Sequence, residues 1–345
     1  MKGQVYEMAK DVTLLGFFSR ISKEIDSATK EDKAQIATTE DVKSIINEMV
    51  TQTFLNSLAA KSKIPELVTI TGKEVFLANG TPITIVERED DVEGAKITFN
   101  GGEILVSKDA YIFGGCHDDD TFTNSSINFE GGEVAHIFGG GLHKSHTVKS
   151  RITMTGGKAK SVRGGAADQL FGTCTCSNRI YDGPIENSWA IVEDAELVLS
   201  GGVVTALVYG GGNGYSYDKT VKIAIDGDFR SEEWGLTVGG SNGYTGTGSL
   251  VMNGGYVSKI QGINRGPMDN ISITVNDGKI DKLFVGGEIP FAGTPEKPNS
   301  NDAHGTFVSA TCTINGGTIG EFSLGGNNYA IIEDGASCVT VVDNR

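Results

Sequence analysis

The chain has 345 residues, with 44 Asp and Glu against 29 Lys and Arg and a formal net charge of -15. That balance argues against nucleic acid and anionic membranes as partners, because both require phosphate neutralisation by Lys and Arg. No stretch approaches the ~18 apolar residues of a membrane-spanning helix, and 48 glycines against 7 prolines direct attention to a repeated architecture.

The N-terminus, "MKGQVYEMAKDVTLLGFFSR", places Glu7, Lys10 and Asp11 inside what would be an apolar leader core and has no small-residue cleavage site. No signal peptide is expected. Residues 1–63 read as helical. Val5, Met8, Val12, Leu15 and Phe18 recur at three and four, and after the charged stretch "SKEIDSATKEDKAQ" a second helix is announced by Thr38 and Asp41 before Val42, Ile45, Ile46, Met49, Thr53 and Leu58. Such a segment caps the open end of a stacked β architecture or forms a bundle between subunits, and both roles stay open at this point.

Residues 64–345 repeat. Aligned on glycine pairs, the chain gives "ITFNGGEI", "INFEGGEV", "ITMTGGKA", "LVLSGGVV", "IAIDGDFR", "LVMNGGYV", "ITVNDGKI" and "TINGGTIG". Four residues before the pair stand Ile97, Ile127, Ile152, Leu197, Ile223, Leu250, Ile273 and Cys312; two before it stand Phe99, Phe129, Met154, Leu199, Ile225, Met252, Val275 and Ile314. Three after it the apolar column is broken once, by Arg230, and six after it run Ile137, Val162, Leu207, Ile260, Leu283 and Phe322. Alternation of period two predicts short strands with one buried face, and the glycines predict bends that need positive φ or close backbone approach. A unit of about 25 residues, as from Ile127 to Ile152, fits one turn of a solenoid. The expected fold is mainly β: a right-handed parallel β-helix of eight or nine rungs, the ninth read from "LVTITGKEVFLANG", preceded by the short helical segment.

Few motifs carry chemistry. His117, Asp118, Asp119 and Asp120 form a charge run without the alternate-position ligands of a calcium loop, so no metal is assigned. Cys174 and Cys176 lack the second pair of a zinc site, and the five cysteines (Cys116, Cys174, Cys176, Cys312 and Cys338) read as free thiols of a reducing compartment. His136, His143 and His146 read as surface histidines. Glu186, Glu193, Asp194, Glu232 and Glu233 form no pair that stands out, and neither cofactor nor enzymatic activity is expected. The inserts 116–126, 142–150, 166–196, 213–221, 241–249, 263–271 and 288–311 all follow the second glycine corner, so stacking predicts one ridge. Its aromatic and apolar members include Phe122, Leu142, Tyr181, Trp189, Tyr215, Tyr217, Tyr244 and Phe291. Tyr215, Tyr217, Tyr244, Trp189 and Tyr181 are the candidate binding residues, suited to glycan or protein recognition.

A helical start with "ATTEDVKSIINEM" followed by a glycine-punctuated β repeat resembles bacteriophage fibre and receptor-binding proteins. The resemblance is one of architecture along the whole chain. It implies a trimeric virion protein of the head or tail, anchored to other virion proteins through the N-terminal part and projecting the solenoid toward a host-surface glycan or protein. Repeats such as "NGGYVSKIQG" are also similar to those of bacterial surface adhesins, and a polysaccharide lyase or hydrolase on the same scaffold is the alternative from another class.

Overall fold

The computed structural model describes residues 68–71, 74–77, 82–90, 92–99, 102–116, 121–167, 190–214, 216–241, 243–264, 266–287, 307–324 and 339–345. All lie in the unit Glu66–Arg345; the helices expected over 1–63 fall outside the described residues. What is described is mainly β, with the strands joined in one sheet dominated by parallel pairing.

Each repeat segment has one apolar face and is too short to bury it alone, so like stacks on like. Ile83, Ile127, Ile152, Leu197, Ile223, Leu250, Ile273, Cys312 and Val341 follow one another in parallel register. The row two residues on runs from Ile85 through Phe129, Met154, Leu199, Ile225, Met252 and Val275 to Ile314, and all of these are buried. After the glycine pair come two further rows, one from Val134 to Ile319 and one from Ile112 to Phe322. Neighbouring strands in such a stack lie about 4.8 Å apart.

The two glycine corners have different causes. At the first, the second glycine of the pair is left-handed: Gly157 has φ +77°, and a Cβ there would also stand 2.5 Å from the Phe129 ring. At the second corner the cause is contact. A Cβ on Gly139 would collide with the Gly164 carbonyl oxygen of the next strand and with Ser150 Oγ.

Side chains also stack along the axis. Phe76, Phe113, Phe138, Arg163 and Tyr209 are consecutive register partners. The phenyl rings lie 4.9 and 4.7 Å apart, and the Arg163 guanidinium lies 5.6 Å from the Phe138 ring and 4.6 Å from the Tyr209 ring. Burial lowers the Arg163 pKa to about 10, which leaves it charged at neutral pH. At the first corner Asn276, Asn315 and Asn344 each donate their Nδ2 to the Oδ1 of the preceding asparagine, at 2.8, 2.7 and 2.7 Å, the first acceptor being Asn253.

The structure corrects the expected register in several places. "ITFNGGEI" is a hairpin: Gly94–Phe99 pairs antiparallel with both Pro82–Val86 and Gly102–Ser107, so Ile97 lies opposite Ile85 and Ile104. Asn-Gly between two alternating strands is also the signature of a two-residue hairpin, and the place in the stack belongs to Ile83 and Ile85. In "LVTITGKEVFLANG", Val68–Thr71 and Glu74–Leu77 again pair antiparallel, and Val75 joins the row of Ile112 after the corner. Arg230 does not break its column. The turn is one residue longer there, Ser231 occupies the buried position, and Arg230 stands exposed 5.2 Å from the Tyr256 ring. Likewise Val208, not Leu207, pairs with Val162.

Parity along one strand gives a direct test. Ile273 is fully buried and its neighbour Ser272 is exposed, so Ile273→Asp forces an unpaired carboxylate into the stack at a cost of several kcal/mol, on the order of 3 or more, whereas Ser272→Asp is tolerated. Thermal melts followed by circular dichroism should show a drop of many degrees for the first variant and little change for the second. Equal melting temperatures would reject this register.

Candidate recognition surface

The expected ridge is only partly loop. The later halves of the inserts are strand, since His146–Arg163, Ala190–Tyr209, Ser216–Ile225 and Tyr244–Gln261 all begin inside them. Parallel register then fixes an outward row: Thr121, His146, Ile191, Tyr217 and Tyr244. Tyr217 and Tyr244 are thus direct neighbours, with ring centroids 5.5 Å apart at 34°. They are half-buried, not fully exposed.

Polar groups fasten this row. The Tyr244 hydroxyl donates to Asp269 Oδ1 at 2.5 Å, and His146 Nε2 lies 2.8 Å from Glu193 Oε1. The Tyr217 hydroxyl has its pKa raised, by burial first and then by the charges of Asp269, Asp218 and Glu193, which places carboxylates on both sides of the ring. Toward the first corner, Lys222 pairs with Asp194 at 3.1 Å and Arg151 with Glu196 at 2.8 Å. The result is an aromatic pair rimmed by fixed hydrogen-bonding groups, whose chemistry suits a flat, hydroxylated or polar ligand.

The two carboxylates that tether this row stand on well-separated strands. Glu193 and Asp269 belong to strands separated by two others, which is three spacings or about 14 Å. Glycoside hydrolysis uses carboxyl groups about 5 to 9.5 Å apart.

Beneath the row lies a carboxyl group that parity from Ile223 would have pointed outward. Asp218 is fully buried between Val192 and Thr245, because Lys219 and Thr220 both face out and the alternation skips a step. The Gly212 N–H donates to its Oδ2 at 2.7 Å, and the Ser216 hydroxyl also favours the carboxylate through a side-chain hydrogen bond. Gly165 and Gly211 make room for it; a Cβ on Gly211 would lie 2.7 Å from Oδ2. Burial raises the Asp218 pKa to about 7, against the Gly212 N–H, which pulls it down.

Several candidates are placed differently from expectation. Leu142 is no platform: it is buried with Phe76, Phe113, Phe138 and Ala167. The three histidines do not form a surface group. His136 is buried in the row of Tyr111, with Nδ1 2.6 Å from Ser161 Oγ, and burial followed by the Arg163 charge lowers its pKa to about 3. His143 and His146 are half-buried, His146 with Glu193. Cys312 is a free, buried thiol whose pKa burial raises to about 11, and Cys116 is buried as well. Tyr215, Trp189, Tyr181, His117, Asp118, Asp119, Asp120, Cys174, Cys176, Cys338, Glu186 and Phe291 lie outside the described residues. No spacing or motif marks Asp218 or Arg163 as buried charges. Trp234, which belongs to none of the inserts, is 60% exposed. The chain matches no family model, no curated protein and no solved structure.

Asp218 generates a pH prediction. Its folded pKa of about 7 stands above the ordinary 3.8, so the stability carried by the protonated form is fully present below the ordinary value and is lost as pH rises through 7. Asp218→Asn keeps the acceptor for Gly212 and removes the ionisation. The variant should melt above the wild type at pH 8, with the gap closing toward pH 4. Parallel melting curves across that range would show that Asp218 is not the titrating group.

Proposed function

We propose that this chain is a structural and binding protein of a bacteriophage particle, anchored by residues 1–63 and displaying residues 64–345 as a right-handed parallel β-helix toward the host surface. The observation that carries the reading is the in-register parallel stack, from Ile83 to Val341, with an aromatic and carboxylate row on its outside. Connections between parallel strands of one sheet are right-handed in about 98% of cases, and a stack of this kind is a stiff spacer that repeats surface groups at fixed intervals. The N-terminal stripes supply the contacts to other virion proteins and to further copies of the chain, in the trimer that the architectural resemblance implies. Tyr217 and Tyr244 belong to the host-facing patch together with Tyr215, Trp189 and Tyr181.

The chemistry expected at such a patch is recognition, because rigid aromatic rings give large contact area at low ordering cost. A depolymerase is the second reading. It is separated by incubating the protein with host capsular or cell-wall polysaccharide and assaying new reducing ends or unsaturated products.

Labelled full-length protein should adsorb to host cells and compete with whole particles. The double variant Tyr217→Ala, Tyr244→Ala should lose about tenfold or more in adsorption, the equivalent of roughly 1.4 kcal/mol, while retaining its β-type circular dichroism. Wild-type adsorption by that variant would sink the patch, and release of polysaccharide fragments would replace the binding role with an enzymatic one.

A further inference from the structure

Away from the tyrosine row, the stack bulges at one place. Between the two rows that follow the first corner, Ala159 and Val162 are separated by two residues, Lys160 and Ser161, and Val257 and Ile260 by Ser258 and Lys259. Between them, Val204 and Val208 enclose three, and Ser231 and Leu236 enclose four, Glu232 to Gly235. The bulge is tied down on both sides. Glu232, Glu233 and Trp234 donate their N–H groups to the carbonyls of Val204, Thr205 and Ala206 at 2.9, 3.2 and 2.8 Å. Gly235 closes the turn with its N–H 3.0 Å from the Glu232 carbonyl and φ +71°, and Ser258 Oγ bonds the Glu232 carbonyl from the strand above.

This backbone holds Trp234 at 60% exposure. An indole left in water by a rigid turn contributes nothing to the core. On the strand of this turn and the two that follow it, polar groups are held in pairs: Arg230 lies 4.0 Å from Glu232, Lys279 lies 3.7 Å from Asp281, and the Tyr256 hydroxyl donates to Asp281 at 2.6 Å. Arg230 and Lys279 lie 5.2 and 5.4 Å from the Tyr256 ring, so that ring is engaged. The strand above carries one other exposed large apolar side chain, Val251, and it stands before the first corner in the row of Ala224 and Thr274.

We propose that Trp234 is the anchor of a saccharide site, in which the apolar C–H face of a neutral pyranose stacks on the indole while Glu232 and Glu233, on the same turn, meet its hydroxyls. A protein partner would require a contiguous apolar centre, which a lone indole among ion pairs does not provide. An acidic sugar gains little, since the neighbouring cations already face carboxylates. β-Bulges re-aim side chains next to functional sites, and three residues of local irregularity are needed here to present one ring. The proposal rests on the host-surface reading for the source of the sugar and not for its chemistry. Single-site affinity is expected near a dissociation constant of about 1 mM, raised by display of several copies.

The chain has two tryptophans, which makes the site its own reporter. In full-length protein, the Trp234 emission, taken as the difference between wild type and Trp234→Ala, is followed while maltotriose, lactose, cellotriose, chitotriose and trigalacturonate are added to about 20 mM, well above the expected dissociation constant. A saturable change with at least one neutral sugar, together with loss of binding to that immobilised sugar in Trp234→Ala at unchanged melting temperature, is the expected result. No saturable change with any sugar, a response to trigalacturonate alone, or wild-type sugar binding by Trp234→Ala would overturn the site. Cell adsorption separates the two readings: sugar binding without adsorption leaves this site standing and removes the host-surface role, while adsorption by a protein that shows no saturable sugar response removes this site and leaves the host-surface role standing.

Discussion

Parallel in-register pairing is the constraint from which the remaining features follow. When a strand lies on the one about 25 residues before it, each position meets its own counterpart, and a residue type is chosen once for a whole row. Apolar rows such as Ile127, Ile152 and Leu197 are buried without any second sheet being required. Outward rows are mixed, and where opposite charges meet, ion pairs such as Arg151 with Glu196 and Lys222 with Asp194 run from strand to strand along the axis. These exposed pairs contribute little stability individually, about 0 to 1 kcal/mol; the rows of apolar side chains carry most of the hydrophobic term.

Close stacking also explains where polarity is buried. The second corner brings backbone against backbone, and its glycines leave space that Ser150, Thr245 and Asp218 fill with hydroxyl and carboxyl groups. Ser150 Oγ donates to the Gly164 carbonyl at 2.9 Å, and Thr245 Oγ1 accepts from the Gly240 N–H at 3.2 Å. Asp218 is the one member of this set with a charge to lose, and its buried position favours the neutral acid. Arg163 meets a similar difficulty differently, with aromatic faces on both sides of the guanidinium.

Much of this was legible in the sequence because the repeat is periodic: the rows through Ile152, Met154 and Val162 are the ones the glycine pairs announce. What escaped has local causes. A count from a glycine pair assumes a fixed turn, and the turn before Ser231 is one residue longer, which exchanged Arg230 for Ser231. Period-two alternation assumes an uninterrupted strand, and at Lys219 and Thr220 two successive side chains face outward, which turned Asp218 inward. "ITFNGGEI" satisfies both a stacked rung and a hairpin, and only the long-range partner, Ile83–Ile85 with Ile127–Phe129, decides between them. For the candidate site, the adjacency of Tyr217 and Tyr244 followed from the repeat, whereas their tethers, Asp269 and Glu193, depend on side-chain reach that spacing alone does not encode.

The asparagine ladder at the first corner has a direction. Every amide in it donates the same way, from Asn344 to Asn315 to Asn276 to Asn253, so the bond dipoles add and each link polarises the next. An inner asparagine serves as both donor and acceptor, and an outer one has a single role. Loss of the Asn276 amide therefore severs two links and divides the chain of dipoles, while loss of Asn344 shortens it by one. A one-dimensional stack built this way has grain, like wood: its links all point one way along the axis, and its inner members hold two neighbours where its outer described members hold one.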